Sequence, residues 1–431
     1  MTTSGFLRLA PVAAAVSVLR ASFMVALAVA SMLTLTGAQA AALIAGGDKH
    51  AMAVLANGQV ATWGDNNRGQ LGFGKILLTS TPLEVALPNP VESVSVASTH
   101  VLALDSEGNI WSWGKNQSGQ LGDGTTTDRS TPTIVFRGAT QIAASGNVSL
   151  AIDTAGTVWE WGSVFVGSAS PRVVEGMSNV VKIFSAGGTK LALDQAGRVW
   201  AWGDGQNGKR GDGENTFNNA VPSQIAGLPP IREIDIGRWH VLAVDANGGV
   251  WAWGNASGIN GTPFDSFVYL TPTKLTGLPA MTMVGVGTGD NYGIGIDGAL
   301  YTWFGNPSAY RRMVQNTVSF ARLSVGDYHG LAVDQAGAAW GWGSNNVGQI
   351  GPDAGSDIRR IALNGLSVKG ISASDYFTSE EGTSFFVTTD GKAFGLGSNA
   401  SLQLAVAATS EVTSRSFPGQ IANLQGVIGV S

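Results

Sequence analysis

The chain has no cysteine among its 431 residues. Disulfides, thiolate metal sites, a cysteine nucleophile and a lipid-modified cysteine anchor are all excluded by that one absence. Histidine is scarce, with four copies, and charged residues make up only 13 % of the chain. The formal net charge is −5, so no broad basic surface for nucleic acid is expected. Long apolar runs are missing as well. The longest, Ala21 to Leu35, falls short of the roughly 20 residues a membrane-crossing helix needs. It follows Arg20 and precedes Ala38-Gln39-Ala40, an arrangement that reads as an export signal over residues 1–40 with cleavage before Ala41. A retained membrane anchor is the competing reading, because a second apolar stretch, Pro11 to Leu19, lengthens the segment before Arg20. An exported chain without cysteine must draw its stability from packing alone.

What the sequence has in abundance is glycine, 60 copies, and tryptophan, 13 copies. Both are periodic. Trp-Gly recurs at Trp63, Trp113, Trp161, Trp202, Trp253 and Trp342, and a glycine stands five residues before each of these tryptophans. Extending that register adds Gly298 before Trp303 and Gly391 before Leu396. The eight glycines from Gly58 to Gly391 are spaced by 50, 48, 41, 51, 50, 39 and 54 residues, a period typical of propeller blades. The cleanest copy runs from His100 to Gly114. Its apolar run His-Val-Leu-Ala-Leu reads as a buried strand, Asp-Ser-Glu-Gly as a turn, and Asn-Ile-Trp-Ser-Trp as the return strand. A glycine-rich loop, a Thr-Pro or Ser-Pro step and two further strands complete the unit.

The repeat absorbs most of the residues that would otherwise suggest chemistry. Only Trp239 of the tryptophans lies off the two repeat positions, and His50, His100, His240 and His329 share a single one. A residue recurring in phase is expected to pack or cap a strand, and no Ser/His/Asp triad can be assembled. Gly203 to Lys209 matches a phosphate loop in part, but Arg210 stands where magnesium would need Ser or Thr, and no helix pattern follows. Asp123, Asp204 and Asp212 lack the ordered spacing of a calcium loop and read as solvated turns. Glu380-Glu381 beside Tyr376-Phe377 reads as a solvated loop. No metal or cofactor is expected.

The loops "GDNNRGQLG" (Gly64 to Gly72), "GKNQSGQLG" (Gly114 to Gly122) and "GSNNVGQIG" (Gly343 to Gly351) resemble the RCC1-type repeat of the regulator of chromosome condensation family. The decayed copy "GSNASLQLA" runs from Gly397 to Ala405. The resemblance spans residues 42–431 and implies an all-β propeller of four-stranded blades. Family members have seven blades. The repeat count here favours eight, with seven as the alternative. The copies at Trp161 and Trp303 lack the G-Q-L-G loop. Ile428 to Ser431 repeats the phase of Val94 to Ala97, so the C-terminal strand is expected to complete the first blade and close the ring over residues 41–431.

Residues that break the repeat carry the functional reading. The loops after the second tryptophan hold Phe165, Phe217, Phe264, Phe267, Tyr269, Tyr310, Arg311 and Arg312, and Trp239 and Tyr328 share an off-pattern position just before a histidine. Loops in one phase emerge on one face of a propeller, and aromatic and arginine residues are common interface anchors. Packing of these side chains onto the blades is the plain alternative. The expectation is a monomeric, secreted or periplasmic recognition scaffold without enzymatic activity, binding a protein or glycan partner and no nucleic acid. The resemblance implies a second possibility, guanine-nucleotide exchange on a small GTPase. An enzyme using the central channel would need an acid/base cluster that nothing in the sequence singles out.

Overall fold

The computed structural model describes residues 44–47, 49–74, 77–162, 167–217, 219–255, 259, 268–304, 307–315, 317–352, 355–376, 378–405, 413–422, 424 and 426–428, with the side chains of 375–381 excepted. The expected export signal lies outside the described residues. Within them the chain forms eight antiparallel sheets of four strands, each in simple chain order. The first blade runs Ile44–Gly46, His50–Val54, Val60–Asp65 and Leu78–Val85. The eighth runs Val368–Tyr376, Thr378–Thr388, Ala393–Ser398 and Ser414–Gln420. Eight sequence repeats are therefore eight blades.

The apolar pattern explains the strands. The second strand of the second blade, His100–Asp105, is buried at every position, as a strand covered on both sides must be. The tight turn that follows requires Gly108, at φ +77°, a conformation open to glycine at little cost. The two tryptophan positions then divide the work. Trp111 Nε1 donates to Asp105 Oδ2 at 2.9 Å, tying the hairpin to itself. The same bond recurs at Trp159, Trp251 and Trp340. Burial pushes the Asp105 carboxyl up, but hydrogen bonds from Trp111, Asn109 and Asn89 outweigh it and hold the group below its ordinary value. The second tryptophan, as at Trp113 and Trp202, is fully buried and packs between blades.

The histidines are pegs between neighbouring blades. His100 Nε2 meets Ser149 Oγ at 2.9 Å, His240 meets Asn291 Oδ1 at 2.6 Å and His329 meets Ser384 Oγ at 2.9 Å. For His50 the corresponding register position of the next blade is Val101, which has no polar group, and neither of its ring nitrogens has a hydrogen-bond partner. Burial lowers His50 and His240 to about 4 and His100 to about 3.

Ring closure uses both ends of the chain. Ile44–Gly46 pairs with Ala51, Met52 and Ala53, while Val427 bridges Leu55 and Ile428 N–H donates to Val54 O at 3.4 Å. The innermost strand of the first blade is thus built from two pieces. Trp63 of the first blade packs with Phe385 and Leu404 of the eighth.

Two expectations need correction. Asp123 and Asp212 are not solvated turns. Asp123 binds Arg129, Thr125 and Asn116, and Asp212 receives the Arg210 guanidinium. Residues around Glu380 are not a loop. They belong to a long hairpin in which Tyr376 pairs with Thr378.

Candidate binding face

Each blade turns twice at the same end of the ring, first between its innermost and second strands and again after the second tryptophan. The two turns are tied together. Lys115 N–H donates to Thr99 O, Asn255 N–H to Trp239 O and Ser344 N–H to Tyr328 O, at 2.8–2.9 Å. Trp239 and Tyr328 therefore share a face with the post-tryptophan loops.

In a regular copy the loop is folded by an asparagine. Asn66 Oδ1 accepts from Leu71 N–H at 2.7 Å, and Asn116, Asn345 and Asn399 do the same for Leu121, Ile350 and Leu404. That curl buries the leucine or isoleucine and turns a backbone carbonyl toward the next blade. Trp113 Nε1 donates to Gln70 O, Trp253 to Lys209 O and Trp63 to Gln403 O, at 2.7–2.8 Å. Gly122 must be glycine, since a Cβ there would lie 2.7 Å from the Trp161 ring. The partial phosphate-loop match is absorbed here. Lys209 supplies its carbonyl to Trp253 while its ammonium donates to Ala186 O at 3.3 Å, and burial lowers it to about 8.

The two copies without this loop differ from each other. Between the third and fourth blades, Glu160 Oε2 accepts from Trp202 Nε1 at 2.9 Å, and Lys190 is hydrogen-bonded to the other carboxylate oxygen. Both charges are buried. Between the sixth and seventh blades a cavity of about 360 Å³ opens, lined in part by Asp290, Tyr292, Thr302, Arg311, Arg312 and Trp342. A second, of about 210 Å³, shares Asp290, Tyr292 and Gly343 with it and adds Tyr328 and His329. This one shares Gly326 and Asp327 with the mouth of the central channel, a cavity of about 500 Å³. The three form a trench from the ring's axis to its edge.

The channel wall is mostly glycine, alanine and serine, with Asp235, Arg238 and Asp327 on one side. Asp235 Oδ2 accepts from Val286 N–H of the next blade at 2.7 Å, where Ser95 and Ser324 make the matching bond with neutral hydroxyls. Burial raises Asp235 to about 6, with Glu233 adding to the effect. Burial raises Asp290 as well. Among the described residues no three acidic or histidine side chains cluster as a metal site, and no helix is long and apolar enough to cross a membrane.

Of the residues singled out in the sequence, Arg311, Arg312 and Tyr328 come together in the trench. Tyr310 borders it, 39 % exposed and edge-on to Tyr301 at 5.5 Å. Phe217 is 53 % exposed on the fourth blade. Trp239 lies under the Arg238 guanidinium at 5.0 Å. Tyr269 is half-buried and packs on the cluster that contains Trp303, so it serves the blade as much as the face. Phe165, Phe264 and Phe267 lie outside the described residues. Sequence reasoning missed Asp290, Tyr292, Thr302 and Trp342, because Trp342 sits on a repeat position and reads as core. The missing loop after Trp303 was the available signal.

Known proteins share this architecture. A sequence model described as the RCC1-like domain matches residues 27–311, and one for the RCC1 repeat matches residues 320–349. Prp20p from Saccharomyces cerevisiae superposes with a TM-score of 0.61 at 21 % identity, over 89 % of this chain and 88 % of that one. Human WBSCR16 gives 0.58 at 17 % identity, over 73 % of this chain and 97 % of that one. The human probable E3 ubiquitin-protein ligase HERC6 is 31 % identical over 127 residues, 28 % of this chain and only 12 % of that protein. With two thirds of its length matched and all eight blades built on the same repeat, the chain belongs to the RCC1-like domain family.

Proposed function

We propose that this propeller is an exported, non-enzymatic recognition scaffold that binds a protein partner through the face carrying its post-tryptophan loops. The observation that carries the reading is where the repeat fails. Departures from it around the Trp303 copy line a trench on the face that carries the post-tryptophan loops. Exposed Phe217 and Tyr310 add aromatic anchors to that face. Solved relatives lend support by analogy, since Prp20p is described by its binding to Gsp1p and histones.

The test uses protein recovered from the culture medium or periplasm, with its N-terminus expected at Ala41, as bait for envelope and culture fractions. Combining Phe217→Ser, Phe267→Ser and Tyr310→Ser should abolish partner capture while the cooperative unfolding transition stays nearly in place. Unfolding of the triple variant would make these side chains loop cores and remove the case for this face.

A further inference from the structure

The loop after Trp202 carries a residue its fold does not ask for. In the G-Q-L-G copies the glutamine closes the loop from within. Its Oε1 accepts from the N–H of the residue two places before it, as Gln70 does from Arg68 and Gln120 from Ser118. Its amide nitrogen also stays inside the molecule, donating to Asp65 from Gln70, to Asn147 from Gln120 and to Ser398 from Gln403. The loop after Trp202 has Lys209 in this position. The curl is otherwise kept. Gly208 N–H donates to Gly205 O, Gly211 N–H donates to Gly208 O, and the Lys209 carbonyl still takes the Trp253 N–H. A lysine cannot accept the loop N–H, so an internal hydrogen bond has been exchanged for a charge. That charge is largely withdrawn from water, since Lys209 is 3 % exposed, and a buried ammonium is costly unless acceptors meet its donors.

Among the described residues this ammonium has a single acceptor, Ala186 O at 3.3 Å. Asp204 attracts it from beyond ion-pair distance, and Arg238 sets a second positive charge near it that works against it. The ammonium borders an opening. Ala186 pairs with Thr189 across the turn that holds Gly187, and Gly187 is exposed. A Cβ built on Gly187 would meet Lys209 Nζ at 3.0 Å and, beyond the neighbouring residues Ala186 and Gly188, no other atom within 4 Å. Ala186, Gly187 and Arg238 all line the mouth of the central channel, so the opening and the two cations share one arc of it. The Arg238 guanidinium lies over the Trp239 ring at 5.0 Å, which steadies it there.

An anionic oxygen in this opening would supply the acceptor the ammonium is short of and would relieve the repulsion between the two cations. The donors are few, and the channel wall also carries Asp235 and Asp327, which favours a singly charged carboxylate over a doubly charged phosphate. We infer that the channel mouth between the fourth and fifth blades is an anion point, at which Lys209 and Arg238 take the carboxylate of an acidic side chain of the protein partner. The inference rests on the protein-binding reading above and gives the partner its chemistry, an aspartate or glutamate reaching toward the ring's axis. The nucleotide reading of Gly203 to Lys209 does not return with it, since Arg210 is bound within its own loop by Asp212 and Thr216.

Protein isotope-labelled at lysine Cε reads the point by nuclear magnetic resonance. The Lys209 signal is the one missing from Lys209→Gln, a variant that restores the residue of the regular copies. Burial lowers this ammonium to about 8, so its signal titrates below those of exposed lysines. Acetyl-glutamate amide, added at constant ionic strength, should move the signal saturably and raise its midpoint. Its affinity should be about tenfold higher at a pH below the midpoint than above it, because the carboxylate binds the charged form. Arg238→Gln should weaken the response by about tenfold. Gly187→Asn, a residue that tolerates the positive φ and fills the opening, should abolish it. If Gly187→Asn does not fold, Arg238→Gln serves as the deciding variant. An unmoved Lys209 signal, an equal response to acetyl-glutamine amide, or a stronger response to inorganic phosphate would overturn the inference. In the capture assay, equal recovery of the partner by wild-type and Lys209→Gln protein would remove the carboxylate point while keeping the face. If no partner is captured at all, the face reading falls, and the titration still decides the anion point.

Discussion

The junction between the third and fourth blades and that between the sixth and seventh start from the same defect, a blade without its G-Q-L-G loop, and end differently. At the first, a buried carboxylate replaces the lost carbonyl and a buried ammonium neutralises it. At the second, short residues leave an open cavity, and Trp342 directs its N–H to the neighbouring Tyr292 hydroxyl. The comparison separates what a blade needs from what it merely has. Every second tryptophan needs cover, but the repeat accepts more than one source of it.

Three experiments would break or sharpen that contrast. The largest effect should come from Glu160→Ala, which leaves Lys190 buried without a counter-charge and Trp202 without an acceptor. Breaking one partner of such a pair typically costs about 3–5 kcal/mol. Denaturant titration should show the loss, and Glu160→Gln with Lys190→Met should recover part of it. A loss no greater than that of a surface substitution would mean the pair is not the repair described.

Next in size is a difference between two like substitutions. Trp202→Phe leaves a buried Glu160 carboxylate oxygen without its donor, whereas Trp342→Phe leaves only the neutral Tyr292 hydroxyl, beside a cavity, without one. Both lose ring volume, so Trp202→Phe should cost about 1–3 kcal/mol more. Equal costs in the same denaturation assay would show that the Tyr292 hydroxyl holds Trp342 as firmly as the Glu160 carboxylate holds Trp202.

The smallest effect per group is in the pH profile. His50, His100 and His240 stay neutral when folded, at about 4, 3 and 4, because burial disfavours their charged forms. An unfolded chain takes up protons from about pH 6.5 downward, so the stability they allow is lost as pH falls from 6.5 toward 4. A tenfold difference in proton affinity between the folded and unfolded chain is worth about 1.4 kcal/mol. Asp235, raised to about 6, acts in the opposite sense, since its contribution is present at low pH and is lost as pH rises toward 6. Three groups outweigh one, and the melting temperature should fall on acidification over this window. His100→Gln should flatten the fall and Asp235→Asn should steepen it. The sixth-to-seventh junction carries Asp290 in the histidine phase, and burial raises that carboxyl. Local exchange there should therefore slow in acid while the histidine junctions loosen.

Much of this architecture was legible in the sequence because it is written eight times. Glycine spacing gave the blade count and the tryptophan register gave the hairpins; the C-terminal strand does reach the first blade, but Val427 takes the place of Val91, so Ile428 stands two residues off the phase read for it. The site was legible only in part. Arg311, Arg312 and Tyr328 stand out because the repeat does not require them. Trp342 does not, because its identity is ordinary and only its neighbour is missing. An absent contact leaves no residue to read. The Glu160–Lys190 pair was hidden for a related reason, since its members lie 30 residues apart and neither position looks unusual until the blades are stacked.

The two-piece innermost strand of the first blade has a consequence for how the protein is made. Trp63 takes its acceptor from Gln403, 340 residues further along the chain. The first blade to be synthesised is therefore the last to be completed. Until the final repeat arrives, a growing chain holds one finished hairpin with a bare tryptophan and an open strand edge, and contacts of such separation form slowly. A chain interrupted within the eighth repeat should then be an aggregation-prone open arc, because its unpaired edge can be matched by the edge of another copy.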